Sequence, residues 1–172
     1  MRLSLTKGAG DAGAAGREAA NSIAHELEDG TTLVWTLAED TPADALLSAE
    51  IDLDPGTGWI MRLDRIDFVP GGVAYRHTHP GPGIRYLLFG RITIDSEGEE
   101  HTYGPGEPWF ERGPDPVLAT TTPDEPSAFI RVLLLPEEWA GKRTISYVDP
   151  ADAEKPKTQK PTVYLEQPVV RP

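Results

Sequence analysis

The chain predicts an all-β fold, with short strands closed into a barrel or a double-sheet sandwich. Three observations carry that prediction. Seventeen Gly and seventeen Pro in 172 residues interrupt the chain too often for helix interiors. Between the interruptions stand runs rich in β-branched and aromatic residues, such as T-T-L-V-W-T-L-A from Thr31. Runs of this kind recur at regular spacing with turn residues between them, which favours an antiparallel architecture over a parallel one. The length suits one compact domain with a real core.

In chain order, residues 8–20 are small and glycine-spaced, and residues 1–30 are read as a flexible N-terminal arm. A strand begins at Thr31 and the barrel runs over 31–136. Pro42 and Asp44 are placed to open a short helix, A-D-A-L-L-S-A-E. Asp54–Gly58 is a turn, and Trp59–Val69 is a long strand. Trp59, Met61 and Leu63 share one parity, Ile66 and Phe68 the other, so a bulge is expected near Asp64-Arg65. Strands follow at Tyr75–His79, Ile84–Phe89, Arg91–Asp95, Glu100–Tyr103, Trp109–Glu111, Val117–Thr121 and Ala128–Leu135, separated by Gly- and Pro-rich turns. Residues 137–172 form a C-terminal extension. Its short strand candidates cannot make a core alone, so it is expected to pack on the barrel or on a partner subunit.

The formal net charge is −12, with no compensating basic run. Nucleic acid and anionic membrane surfaces are disfavoured partners. There is no cysteine, so any transition metal must be held by histidine, carboxylate or water. The N-terminus lacks an apolar signal core and no apolar run approaches membrane-spanning length, which makes the cytoplasm the expected location.

The chemistry concentrates in Pro70–Gly90, P-G-G-V-A-Y-R-H-T-H-P-G-P-G-I-R-Y-L-L-F-G. On a strand, His77 and His79 at i and i+2 point to one face and can lean onto one cation. The stretch resembles the first motif of the cupin superfamily: a glycine, five residues, His-x-His, a short gap, Glu, six residues and a glycine. Gly71, His77, His79 and Gly90 match, and Gly83 stands at the Glu position. The second motif, Pro-x-Gly-x-x-His, corresponds to residues around Gly113, with Glu111 at its proline and Pro116 at its histidine. The resemblance covers about residues 59–136. It implies a cupin-type jelly-roll β-barrel with N- and C-terminal extensions, a homodimer, and an internal small-molecule pocket. It further implies a divalent metal (Fe, Mn, Ni, Zn or Cu) and activity of the dioxygenase, isomerase or polyketide-cyclase kind on an oxygenated or enolisable metabolite.

On this reading His77 and His79 are the catalytic residues and metal ligands. Glu111 is taken as the third ligand on its position alone, not from the family pattern. The bland alternative is a pair of histidines lining a polar pocket. By alternation from Gly83, Arg85 faces inward; Arg131, within F-I-R-V-L-L-L, poses the same question. A buried arginine either holds a substrate anion by a forked contact or pairs with a carboxylate such as Asp64 or Glu111, and structural pairs are the commoner outcome. Tyr75 and Trp109 are candidate walls for a planar ligand, although aromatics at strand positions are mostly core. Two further functions stay open: a non-catalytic binding or sensing barrel with a degenerate metal site, and metal-free acid–base catalysis by a histidine.

Overall fold

The computed structural model describes residues 1–9 and 21–170. Its centre is eight strands: β5 (Trp59–Phe68), β6 (Val73–Thr78), β7 (Gly83–Phe89), β8 (Ile92–Ser96), β9 (Glu99–Tyr103), β10 (Pro108–Glu111), β11 (Val117–Thr121) and β12 (Ser127–Pro136). They pair as a nest, first with last and inward: β5 with β12, β6 with β11, β7 with β10, β8 with β9, all antiparallel. Further pairing of β7 with β12 and β8 with β11 gathers them into two sheets. That nesting is a jelly roll, the fold implied by the sequence motifs. No described helix is long and apolar enough to cross a membrane.

The C-terminal segment adds one edge strand to each sheet. β13 (Ser146–Tyr147) extends β6, with Tyr147 opposite His77, and β14 (Gln159–Pro168) extends β5. Arg62 fastens the segment to the sheet, donating to the carbonyls of Trp139 (2.7 Å) and Lys142 (2.9 Å) and pairing with Glu166 (2.5 Å).

The expected arm is ordered where it is described. β1 (Arg2–Ala9), β2 (Ser22–Glu26), β3 (Thr31–Ala38) and β4 (Leu47–Glu50) form a separate sheet in the order β2-β3-β1-β4. Residues 10–20 of that reading lie outside the described residues. The helix expected after Pro42 is instead β4, paired antiparallel with β1. Its two adjacent leucines give no apolar stripe at helical spacing, whereas β1 offers a free edge. The barrel proper therefore starts at Trp59, not Thr31.

The extra sheet explains the parity change in β5. β5 runs against β12 in unbroken register from Trp59 to Phe68, without the expected bulge. Both of its faces are buried. Met61 and Leu63 pack outward with Leu3, Leu5 and Trp35 of the N-terminal sheet. Ile66 and Phe68 pack inward with Leu87, Trp109 and Phe129. Each such side chain contributes about 1.5–3 kcal/mol by leaving water. The fold is thus three layers, with one core on each side of the middle sheet and a smaller cluster of Ile60, Leu133 and Leu135 beside Trp139, and the middle sheet carries charged residues on its inner face.

Candidate functional site

The middle sheet sets the site by register. Arg131 on β12 stands opposite Asp64 on β5 on one side and Arg85 on β7 on the other. Their side chains share the inner face, so two guanidiniums lie side by side in the interior. Each is neutralised from a flanking strand. Arg131 forks onto Asp64 at 2.6 and 3.1 Å. Arg85, with no exposed surface, donates to the carbonyl of Gly83 (2.6 Å) and pairs with Glu111 at 2.7 Å. That last contact is ionic and not aligned as a hydrogen bond; Arg85 Nε has no hydrogen-bond partner among the described residues. Burial, with Arg131 adding repulsion and Glu111 opposing, lowers the Arg85 pKa to about 10.

The histidines come from the facing sheet. β6 carries one extra residue against β11 between Ala74 and His77, so both turn inward. His77 Nδ1–H donates to the carbonyl of Tyr75 (2.7 Å), and His79 Nδ1–H donates to that of Thr144 (2.9 Å) in the C-terminal segment. Both carbonyls are acceptors only, which assigns the tautomers: each neutral ring carries its lone pair on Nε2. The two Nε2 atoms lie 3.3 Å apart. Arg131 Nη1–H reaches His79 Nε2 at 3.2 Å, so that lone pair is engaged, whereas the one on His77 faces another acceptor. Burial foremost, with Arg131 and Arg85 adding repulsion, holds both imidazoles below the ordinary value of 6.5, His79 well below. For His77, the Tyr75 contact and Glu111 partly offset the shift.

These groups open on a cavity of about 560 Å³ between the sheets. Its walls are apolar, from Ile66, Phe68, Ala74, Ile94 and Phe129, and its mouth is formed by residues 141–145 and by β14.

The sequence-predicted residues divide. His77, His79, Arg131 and Glu111 line this cavity. Arg85 is sealed behind Glu111. Tyr75 is not among the lining residues; its ring lies under the Lys155 ammonium, 4.4 Å away. With the bulge between Ala74 and His77, the Tyr75 ring, a candidate ligand wall by sequence, does not reach the cavity, and what serves the site is the Tyr75 carbonyl. Trp109 lies instead in the inner core and a smaller pocket, stacked on Tyr103, with Nε1–H donating to Glu111 Oε1 (2.8 Å). Gly83 does not leave room for a missing carboxylate: an added Cβ would collide with the Val132 carbonyl and lie 2.8 Å from Leu133 Cδ2. Sequence reasoning missed Thr144 and the C-terminal wall. The only signal for the wall was the pair Lys142-Arg143 in a chain so acidic.

The metal set expected from the sequence does not fit. Two nitrogens 3.3 Å apart match cis ligands on a cation, subtending about 105° at bonds near 2.0–2.1 Å. However, the Arg131 N–H occupies one of the two lone pairs. Glu111, the expected third ligand, is held by Arg85 and Trp109. Among the described residues no three His, Cys, Asp or Glu side chains converge to hold an ion.

No protein-family model and no curated protein matches this chain. Solved structures similar to it include the polyketide cyclase RemF from Streptomyces resistomycificus, at 22% identity and a TM-score of 0.44, covering 52% of this chain and 61% of the cyclase. A cupin 2 conserved barrel domain protein from Salinispora arenicola matches at 18% identity and a TM-score of 0.39, covering 45% of this chain and 65% of that one. A predicted oxalate decarboxylase from Thermotoga maritima matches at 22% identity and a TM-score of 0.37, over 42% and 64%. This chain therefore spans less than two thirds of each of these proteins. What ties it to the jelly-roll fold is its own nested strand pairing.

Proposed function

We propose that this chain is a cupin-type small-molecule enzyme that moves a proton on an oxygenated, enolisable ligand without a resident metal. The observation that carries the reading is the lone pair of His77 Nε2. It is buried, oriented by the Tyr75 carbonyl and meets no donor among the described residues, which leaves it free to accept a proton from a ligand. A C–H acidified by a neighbouring carbonyl, or an enol O–H, gives its proton to His77 Nε2. The electron pair left behind settles on the ligand oxygen, where Arg131 faces the cavity. The proton is held on His77 Nε2, and its return to a different ligand atom completes an isomerisation or ring closure. His79 acts as a positioning residue whose tautomer is set by Thr144.

The test uses 2-tetralone in D2O and follows exchange of its α-hydrogens by NMR. The wild-type chain is expected to accelerate exchange, His77→Gln to lose about 10²–10⁴-fold of it, and dialysis against EDTA to change nothing. Binding of the ketone without exchange would leave a sensing barrel instead. Loss of exchange on chelation, with one metal per chain in the untreated protein, would restore the metal-dependent reading. The homodimer belongs to the same proposal, supported by the edge strand β14, whose Val163, Tyr164 and Leu165 are exposed; light scattering measures it directly.

A further inference from the structure

The cavity mouth carries charge that the rest of the molecule does not explain. Lys142, Arg143 and Lys157 all line it and all are exposed. Among the described residues none of the three makes an ion pair. The nearby carboxylates are committed elsewhere: Asp64 to Arg131, Glu111 to Arg85, Glu166 to Arg62 and the Gly141 N–H, Asp152 to Lys155. Arg143 and Lys157 lie against the ring of Tyr147, at 5.7 and 4.5 Å from its centroid. Arg143 also donates to the Tyr147 hydroxyl (3.2 Å), and Lys157 to the Asp152 carbonyl (2.8 Å). Tyr147 is itself the strand partner of His77, which brings this cation cluster to the edge of the histidine site. In a chain of net charge −12, three cations without carboxylate partners at the mouth of an apolar cavity are a local reversal of field.

We infer that the ligand is an organic acid with two distinct ends. An apolar ring body fills the walls of Ile66, Phe68 and Phe129, a hydroxyl or enol meets His77 at the closed end, and a carboxylate meets Lys142, Arg143 and Lys157 at the mouth. The volume of about 560 Å³ accommodates a fused two-ring body with both substituents. The assignment of the closed end rests on the proton-transfer reading above, but the assignment of the mouth does not.

Isothermal titration with 6-hydroxy-2-naphthoic acid and with 2-naphthol separates the two ends. At about 20 mM salt the acid is expected to bind about tenfold or more tighter than the naphthol, and at about 300 mM the advantage shrinks by screening. The variant Lys142→Ala/Arg143→Ala/Lys157→Ala, with all three changes on exposed positions, is expected to melt near the wild type and to bind both probes within about threefold of each other. His77→Gln is expected to weaken both probes alike and preserve their ratio. Equal affinities in the wild type, a ratio that survives in the triple variant, or no binding of either probe overturns the inference. If the ratio behaves as expected but His77→Gln leaves both affinities unchanged, the mouth assignment stands and the role of His77 falls.

Discussion

Arg85 and Arg131 are cross-strand neighbours with the same residue type, the same inward direction and one carboxylate each, yet they do different things. Arg85 is closed in by Glu111, the Gly83 carbonyl and the core around Trp109. Arg131 has a third Nη1 contact, to His79, and faces the cavity. The fork on Asp64 uses Nε and Nη2 and leaves Nη1 pointing at the histidines. One ion pair holds the sheet, and the other is arranged to present a donor. Identical chemistry in one row of one sheet thus divides by what lies above it: core over Arg85, cavity over Arg131.

The largest expected effects come from breaking either pair on one side. Asp64→Ala and Glu111→Ala each leave a buried guanidinium uncompensated, and each is expected to cost about 3–5 kcal/mol. For a chain of this size, that lowers the melting temperature by roughly 6–20 °C in a thermal scan. The doubles then separate the pairs. Arg85→Met with Glu111→Gln removes both charges, keeps an acceptor for Trp109, and is expected to melt near the wild type with exchange of 2-tetralone intact. Arg131→Met with Asp64→Leu is expected to recover stability as well, but to lose about 10²-fold or more of the exchange, because the oxyanion loses its donor. Equal retention of activity in both doubles would erase the distinction between them.

Next in size is the pH response. In the unfolded chain His77 and His79 take up protons near 6.5, whereas in the folded chain burial and the two arginines push both lower. Below about 6.5 the unfolded state therefore binds more protons, and stability falls as the pH drops through that value and on toward the lowered folded values. Above it the contribution is fully present. His77→Gln with His79→Gln is expected to flatten the decline in melting temperature between pH 7 and 5. It will not abolish the decline, since burial also lowers His25. An unchanged slope would mean that the pair is not held neutral.

Much of the fold was legible in the residues. Turn chemistry and β-branched runs located all eight jelly-roll strands, and the spacing from Gly71 to Gly90 placed His77 and His79 together. What was not legible has physical causes. Leu3 and Leu5 alternate like a strand but stand next to a glycine-rich stretch, and nothing local says that a sheet awaits them on the far side of Met61 and Leu63. The same hidden layer turned a two-faced strand into an apparent bulge in β5, while a bulge in β6 left the Tyr75 ring off the site. Backbone carbonyls carry no sequence signature, so Thr144 as the group that sets the His79 tautomer could not be found by residue type. The pairing of Arg131 with Asp64 was one of several combinations that strand parity allowed, and only register chose among them.

The smallest expected effect tests the sealed side of the comparison. Trp109 was a reasonable ligand wall by sequence, and its indole N–H now serves as a donor to Glu111 Oε1 at 2.8 Å. Trp109→Phe keeps an aromatic ring against Tyr103 and Phe129 and removes only that donor. Glu111 keeps its ion pair with Arg85, so the loss is one hydrogen bond to a charged acceptor, about 1.5–3 kcal/mol at most. A fall of a few degrees in melting temperature is expected, with naphthol affinity within about threefold of the wild type, because Trp109 does not line the main cavity. A larger loss of affinity with little change in melting would place the ring against the ligand. It would also make the Arg85 side of the sheet part of the binding site.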